Sequence, residues 1–308
     1  MNSYSIVVGI KSFSLSQDEK RYLKKFKPLG IILFKRNILN KKQVMFLTKE
    51  VKGILGPHAL IMIDQEGGKV SRLSQEIWPY FPAANVFGKM AKKNIESAKK
   101  ATYKNFYLIG KELNELGINF NCAPVLDLFV KNSNDIIGSR AFSKNREIVS
   151  LLGKEACKGL LKANVNPILK HIPGHGRAKD DSHKKLPKIE LSFKELQDDF
   201  YPFKRLNKIK YAMTAHIKYN KLDSINCATQ SKVIINKVVR NLIGFKGILF
   251  SDDLCMKALK GGYYFRAKKA IEAGCDIVLH CDPDLKYIIK STLGAGKASE
   301  ELKKKLLK

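Results

Sequence analysis

ILKHIPGHGRAKDDSH, residues 168–183, joins the end of an apolar segment to a loop rich in ionisable side chains. Residues 166–169 have the composition of a short buried strand, and the loop after them carries three of the chain's six histidines. A proline and a glycine separate His171 from His175, so this pair does not form one turn of a helix. A loop with so many titratable groups indicates a site of chemistry.

Apolar segments of strand length alternate with helical segments on both sides of this stretch. Eight segments are predicted to be strands: 5–10, 30–34, 59–63, 119–126, 166–169, 211–215, 247–250 and 276–279. Helices are predicted between them at 18–26, 41–55, 95–116, 146–163, 231–242 and 265–273, with further helical sequence after residue 191. Parallel strands need such crossovers and are buried on both faces, so the pattern predicts an α/β protein with a parallel sheet.

Two arrangements of this sheet fit the alternation, a closed (β/α)8 barrel and a doubly wound open sheet. The turn after the first strand has no glycine-rich dinucleotide motif, and polar residues follow almost every strand at its carboxyl end. Both observations favour the barrel, whose active sites lie at that end. We therefore predict a single-domain (β/α)8 TIM barrel spanning residues 1–308, with a short lysine-rich C-terminal tail that includes residues 303–305.

The composition limits the possible partners of the protein. The chain carries 57 lysine and arginine residues against 28 acidic ones, which gives a net charge of +29. Because the lysines are scattered and arginine is scarce beside them, we expect a solvated basic surface and no nucleic-acid partner. No apolar segment approaches the roughly 20 residues of a membrane span. The N-terminus lacks a secretory signal and the six cysteines lack a disulfide framework, so we expect a cytoplasmic protein. We also expect the protein to be a monomer.

Titratable residues gather near the predicted carboxyl ends of the strands. The candidates are Asp64, Arg72, Asp127, Arg140, Lys170, His171, His175, Asp181, His183, His216, Asp252 and Asp253. Taken singly, most have an ordinary structural interpretation. Asp127 is expected to cap the following helix, and His216 and His280 fit hydrogen-bonded core imidazoles as well as functional ones. It is their concentration that indicates a functional site.

Metal or phosphate chemistry is one interpretation of this cluster. Histidines and aspartates could form a zinc or iron site, which leaves a metal-dependent barrel hydrolase as an alternative function. The chain has no HxH strand and no HExxH helix, and we predict neither a metal nor another cofactor. A glycine pair at residues 67–68 could bind phosphate, but Asp64 and Glu66 would repel it. A second alternative, suggested by charge alone, is a non-catalytic nucleic-acid-binding protein.

Acid–base chemistry with a nucleophile is the other interpretation. Asp252 or Asp253, at the end of an apolar strand, is a carboxylate on a rigid support, as a covalent nucleophile requires. Asp181 precedes His183 by two residues and could favour its protonated form, which makes that imidazole a proton donor. A fixed carboxylate facing a proton donor suits glycosidic bond cleavage with retention, although the usual donor is a second carboxylic acid.

The motifs of this chain resemble those of glycoside hydrolase family 3, in particular its bacterial β-N-acetylglucosaminidases of peptidoglycan recycling. KHIPGHG at 170–176, DSH at 181–183 and GFKGILFSDDL at 244–254 carry the resemblance. Further matching segments, in the order of the family, lie at 33–37, 63–68, 123–127, 138–142 and 213–216. The resemblance covers about residues 30 to 282, which is nearly the whole chain.

This resemblance implies roles that the pattern alone leaves open. It assigns the nucleophile to Asp252 rather than Asp253, and the general acid/base to His183 with Asp181. It also implies that the hydroxyl groups of an N-acetylglucosamine ring are bound by Asp64, Arg72, Arg140, Lys170 and His171. The expected enzyme is a retaining β-N-acetylhexosaminidase without a cofactor, which releases terminal N-acetylglucosamine from muropeptides through a covalent glycosyl-aspartate.

Overall fold

The computed structural model describes residues 3–73, 75–131, 133, 135–182 and 184–307. Eight of its strands form a closed parallel barrel: β1 (Tyr4–Gly9), β2 (Pro28–Leu33), β3 (Leu60–Ile63), β4 (Phe120–Asn121), β5 (Asn166–Ile172), β7 (Tyr211–Thr214), β9 (Ile248–Asp253) and β10 (Ile277–His280). Each strand pairs with the next barrel strand in sequence, and β10 closes the ring on β1. Outside the barrel, β6 (Lys188–Ile189) and β8 (Lys218–Tyr219) form a small parallel pair. The predicted closed α/β barrel is therefore confirmed.

Helices connect the barrel strands. They are α1 (Gln17–Phe26), α2 (Lys41–Leu55), α3 (Ala84–Lys93), α4 (Ile95–Glu115), α5 (Arg146–Lys162), α6 (Gln197–Arg205), α7 (Tyr263–Ala273), α8 (Leu285–Ala295) and α9 (Glu300–Leu307), with a π-helix at Ile234–Leu242. Side chains encoded just before several helices fix where they begin. Ser16 and Glu19 form a reciprocal capping box at α1, and asparagines cap α2, α4 and α5 in the same position.

The strand alternation divides the core in two. On β1, Val7 belongs to a cluster inside the barrel, whereas its neighbours Ile6 and Val8 pack outward against the helices. The inner cluster also includes Leu302 of α9, which is 4% exposed. The lysine-rich C-terminal segment is thus part of an amphipathic helix packed on the barrel.

Several elements differ from the predicted boundaries. β4 is only two residues long, although most of residues 119–126 are apolar, because Pro124 lacks an amide hydrogen for a regular ladder. The segment still runs beside β5, where the amide of Leu126 donates to the carbonyl of Lys170 at 2.7 Å. β5 continues to Ile172, three residues beyond the predicted end, because those residues pair with β7. Helices α3 and α8 were not predicted.

A close backbone contact holds α3 against the segment that follows Arg140. A Cβ atom at Gly88 would lie 1.5 Å from the carbonyl oxygen of Phe142, so an alanine there would force the two segments apart. We expect Gly88→Ala to lower the free energy of unfolding by about 3 kcal/mol or more, measured by chemical denaturation. The matched control is Gly53→Ala in α2, where an added Cβ meets nothing within 4 Å. That control should stabilise the protein by about 0.5–1 kcal/mol, and equal stabilities of the two variants would contradict the prediction.

Candidate active site

One pocket lies at the carboxyl ends of the barrel strands. Its lining is Phe34, Asp64, Glu66, Val70, Arg72, Ile136, Ile137, Arg140, Lys170, His171, His175, Ser182, Met213, Asp252, Asp253, Met256, Leu279 and Cys281. Six of the eight predicted site residues are among them: Asp64, Arg72, Arg140, Lys170, His171 and Asp252. Asp181 neighbours the lining residue Ser182, and the predicted acid/base His183 lies outside the described residues.

Lys170 joins two carboxylates at the base of the pocket. Its Nζ lies 2.8 Å from Asp64 Oδ1 and 2.6 Å from Glu66 Oε1, and its side chain is 3% exposed. Burial alone would lower the pKa of Lys170, but the two carboxylates outweigh it and raise that pKa above its usual value. Likewise, burial opposes ionisation of Asp64, yet Lys170 and Arg72 hold its pKa well below the ordinary range. These groups are therefore charged at neutral pH.

Glu66 is a site residue that the sequence analysis did not assign. Its carboxylate accepts two hydrogen bonds from Arg140, from Nε and Nη2, both at 2.8 Å. Burial raises the pKa of Glu66, but Arg140 and Lys170 lower it more, to about 2. The signal for Glu66 was its position in the strand-end segment 64–68, two residues after Asp64. It fixes Arg140 in a bidentate geometry that a lysine could not reproduce.

Arg72 completes the charged wall of the pocket. Its Nη2 lies 3.1 Å from Asp64 Oδ2, and its guanidinium carbon is 5.3 Å from the centre of the Phe34 ring. The buried Nε of Arg72 has no hydrogen-bond partner among the described residues. A hydroxyl or carbonyl oxygen of a bound ligand would satisfy such a donor.

His171 is held by a buried carboxylate. Asp127 Oδ2 lies 2.6 Å from His171 Nδ1, and Asp127 also accepts from the backbone amides of His171 and His175. Burial opposes its ionisation, but His171 outweighs it and lowers the pKa of Asp127. The expectation that Asp127 caps a helix is wrong. Its carboxylate accepts from the backbone amides of His171 and His175, and Asn145 caps α5 instead. Asp127 thus orients His171 in the pocket.

Asp252 stands at the end of β9 and faces the same pocket. Its Oδ1 accepts the amide hydrogen of Asp253 at 2.8 Å, and its own amide donates to Thr214 Oγ1 at 3.3 Å. Burial opposes ionisation, but neighbouring imidazoles, the Asp253 amide and Lys170 outweigh it and hold the pKa of Asp252 below the ordinary value. The carboxylate is therefore ionised and fixed by the backbone on which it stands.

Asp253 and His216 have structural partners. Asp253 Oδ1 accepts from the amides of Cys255 and Cys281, each at 3.0 Å. His216 Nε2 donates to the carbonyl of Asp253 at 2.9 Å, and its Nδ1 lies 2.7 Å from Thr229 Oγ1. Both side chains are thus engaged in shaping the backbone around Asp252.

His280 is also a core imidazole. It is fully buried, and its Nδ1 lies 2.7 Å from Ser291 Oγ. Burial lowers its pKa to about 4, so His280 is neutral at physiological pH. The structural interpretation of this histidine therefore holds.

The described residues contain neither a metal-binding cluster nor a membrane-spanning helix. Within residues 3–73, 75–131, 133, 135–182 and 184–307, no three metal-binding side chains form a group that could hold an ion. His171, His175 and His216 are instead hydrogen-bonded to Asp127, Ser182 and Thr229, respectively. Over the same ranges, every helix is too short or too polar to cross a bilayer.

Proteins similar to this chain in sequence and in fold include glycosidases. The model of the glycosyl hydrolase family 3 N-terminal domain matches residues 6–306. A β-hexosaminidase of Neisseria meningitidis serogroup A is 38% identical over 287 residues, which cover 91% of this chain and 79% of that protein. The crystal structure of NagZ from Neisseria gonorrhoeae, in complex with N-trifluoroacetyl-D-glucosamine, has a TM-score of 0.91 at 35% identity and covers 100% of this chain and 90% of that one.

A further similar structure is that of a glycoside hydrolase family 3 β-N-acetylglucosaminidase from Paenibacillus. It has a TM-score of 0.87 at 31% identity, over 98% of this chain and 59% of that one. The family resemblance inferred from the motifs is thus confirmed over almost the full length of the chain. The protein belongs to glycosyl hydrolase family 3 and is a glycosidase of the β-hexosaminidase type.

Proposed function

We propose that this protein is a retaining exo-β-N-acetylglucosaminidase that releases terminal N-acetylglucosamine from its substrate. The proposed nucleophile is Asp252, and the proposed acid/base pair is His183 with Asp181. The side chains proposed to bind the sugar are Asp64, Arg72, Arg140, Lys170 and His171. The β-N-acetylglucosaminidase from Paenibacillus and the glucosamine derivative bound to NagZ support this choice of sugar.

One contact carries the proposal. The amide of Ala258, six residues after Asp252, donates a hydrogen bond of 3.2 Å to the carbonyl of Ser182. Ser182 stands between Asp181 and His183 in sequence, and both Ser182 and Asp252 line the same pocket. This contact of Ser182 with the segment that follows Asp252 supports the proposal, because retaining hydrolysis requires the acid/base and the nucleophile on one pocket.

In the first step, a carboxylate oxygen of Asp252 attacks the anomeric carbon of the sugar. The bond from that carbon to the leaving oxygen breaks, and protonated His183 transfers its proton to the leaving oxygen. The low pKa of Asp252 keeps the nucleophile ionised. Asp181 stabilises the imidazolium before transfer. The products of this step are a glycosyl-Asp252 ester and the departing alcohol.

In the second step, neutral His183 removes a proton from water while the water oxygen attacks the anomeric carbon. The ester bond to Asp252 breaks and returns the carboxylate. Two inversions at the same carbon leave N-acetylglucosamine with its original configuration, and His183 is again protonated. The charged wall of Asp64, Lys170 and Arg72 supplies acceptors and donors for the ring hydroxyls in both steps.

We also propose the cellular setting of this reaction. The substrate is an N-acetylglucosamine-containing muropeptide of peptidoglycan recycling, cleaved in the cytoplasm by a monomer that needs no cofactor and binds neither nucleic acid nor membrane. All six cysteines are free, which suits a reducing compartment. The carboxylates of a peptide-bearing substrate would be attracted by a net charge of +29.

The acid role of His183 predicts a dependence on the leaving group. In His183→Ala, we expect kcat/KM for a disaccharide substrate to fall by about 10²–10⁴-fold, because its alkoxide leaves poorly without a proton. For p-nitrophenyl N-acetylglucosaminide the loss should be far smaller, because nitrophenolate leaves unprotonated. Kinetics on both substrates measure the difference, and the matching glucoside tests the need for the N-acetyl group. Equal losses on the two N-acetylglucosaminides would contradict the acid role.

A further inference from the structure

His175 is a buried histidine of the pocket that the proposed mechanism does not use. It is 2% exposed, and its Nε2 lies 3.2 Å from Ser182 Oγ. Its backbone amide donates to Asp127 Oδ1 at 2.6 Å, which fixes the start of the loop after β5 (residues 173–187). Burial and the nearby charge of His171 lower the pKa of His175 to about 4, so the ring is neutral at pH 7.

Ser182 is held from two sides. It is 1% exposed, its hydroxyl contacts His175, and its carbonyl accepts from the amide of Ala258. Between these residues, the loop packs tightly at Gly176, where a Cβ would lie 2.1 Å from the carbonyl oxygen of Leu128. The hydroxyl of Ser182 therefore contacts His175, which is itself anchored to Asp127 through its backbone amide.

We propose that His175 is a positioning residue, which through the hydroxyl of Ser182 holds Ser182 in the pocket lining and against the segment that follows Asp252, and so positions the residues next to it in the chain. The path runs from Asp127 to the His175 backbone, and from the His175 ring to Ser182. This inference rests on the proposed function, because it assigns His175 a role toward the acid/base pair. His175 does not touch the reacting atoms.

The contact has a specific consequence for catalysis. Proton transfer depends on the distance between the donor and the leaving oxygen, and a displacement of about 1 Å can cost 10²-fold in rate. Lys170 and Asp64, which we propose bind the sugar, are held by each other and not by Ser182. Loss of the contact should therefore lower kcat/KM, which reports the first step, on substrates that need the proton, and leave binding of free N-acetylglucosamine unchanged.

Two substitutions of His175 distinguish loss of the hydrogen bond to Ser182 from loss of the imidazole ring itself. Glutamine carries an amide near the position of Nε2 and can still bond Ser182, whereas asparagine reaches only the position of Nδ1. We expect His175→Asn and Ser182→Ala each to lower kcat/KM for a disaccharide by about 10–100-fold, with kcat/KM for p-nitrophenyl N-acetylglucosaminide within about 3-fold of wild type. His175→Gln should restore most of the disaccharide rate. Inhibition by N-acetylglucosamine should be the same in all variants.

A double variant and a measurement without substrate complete the test. His175→Asn combined with Ser182→Ala should lose no more than either change alone, because both remove one contact. Amide hydrogen exchange in residues 176–182 should be faster in both single variants and near wild type in His175→Gln. Additive losses, equal effects of glutamine and asparagine, or unchanged exchange would each overturn the positioning role. An inactive wild-type enzyme with the expected exchange pattern would instead contradict the proposed function alone.

Discussion

Replacing Asp252 with asparagine is expected to lower kcat on p-nitrophenyl N-acetylglucosaminide by roughly 10⁴-fold or more. The asparagine side chain keeps the shape of the aspartate and an oxygen that can accept from the backbone amide of Asp253, which lies 2.8 Å from Asp252 Oδ1 in the wild type. It cannot form a stable ester with the anomeric carbon. The stability of the variant should be near that of wild type. Measuring both the activity and the unfolding transition of the variant therefore separates a chemical defect from a folding defect.

The matched control is Asp253→Asn, one residue further along β9. Its oxygen can still accept from the amides of Cys255 and Cys281, which are the contacts of Asp253 Oδ1. We expect its loss of kcat to be smaller by at least about 100-fold than that of the Asp252 variant. If the two variants lost activity equally, or if Asp253→Asn were the inactive one, the assignment of the nucleophile would be wrong.

The covalent intermediate predicts the stereochemistry of the product. Proton NMR at early times of hydrolysis should detect the β-anomer of N-acetylglucosamine first, before mutarotation. A first product of α configuration would exclude the two-step mechanism, whatever the effect of the Asp252 substitution.

Replacing Lys170 with methionine is expected to damage both stability and binding. The change removes the ammonium group that lies between Asp64 and Glu66, and leaves their buried carboxylates with fewer counter-charges. We expect the free energy of unfolding to fall by about 3–5 kcal/mol, as for other buried pairs that lose one partner. The remaining folded enzyme should bind N-acetylglucosamine weakly, since Asp64 loses a contact that orients it and so does Glu66, the partner of Arg140.

The control for this change is Lys158→Met. Lys158 forms an ion pair of 2.7 Å with Glu155 on the surface of α5, and its side chain is 51% exposed. Exposed pairs contribute little to stability, so this variant should behave as wild type in both denaturation and activity. A Lys170 variant with unchanged stability would show that the charged cluster is not needed to maintain the fold.

The sequence predicted the strands and helices well because their signals are local. Apolar runs with polar ends marked all eight barrel strands, and the longer helices were predicted between them. The shortness of β4, the extension of β5 and helix α3 escaped prediction. Each depends on neighbours far along the chain, such as the pairing of Ile172 with Thr214 or the packing of Gly88 on Phe142.

The site, like the fold, depends partly on local sequence and partly on contacts between residues far apart in the chain. The sequence by itself determined which ionisable residues stand at strand ends, and its motifs identified the family. Only the tertiary structure decided which charges pair: Lys170 with Asp64 and Glu66, Asp127 with His171. These partners are 44 to 106 residues apart, and their contact depends on closure and register of the barrel. A side chain's type is encoded at one position, whereas its charge state and orientation follow from what the fold brings beside it.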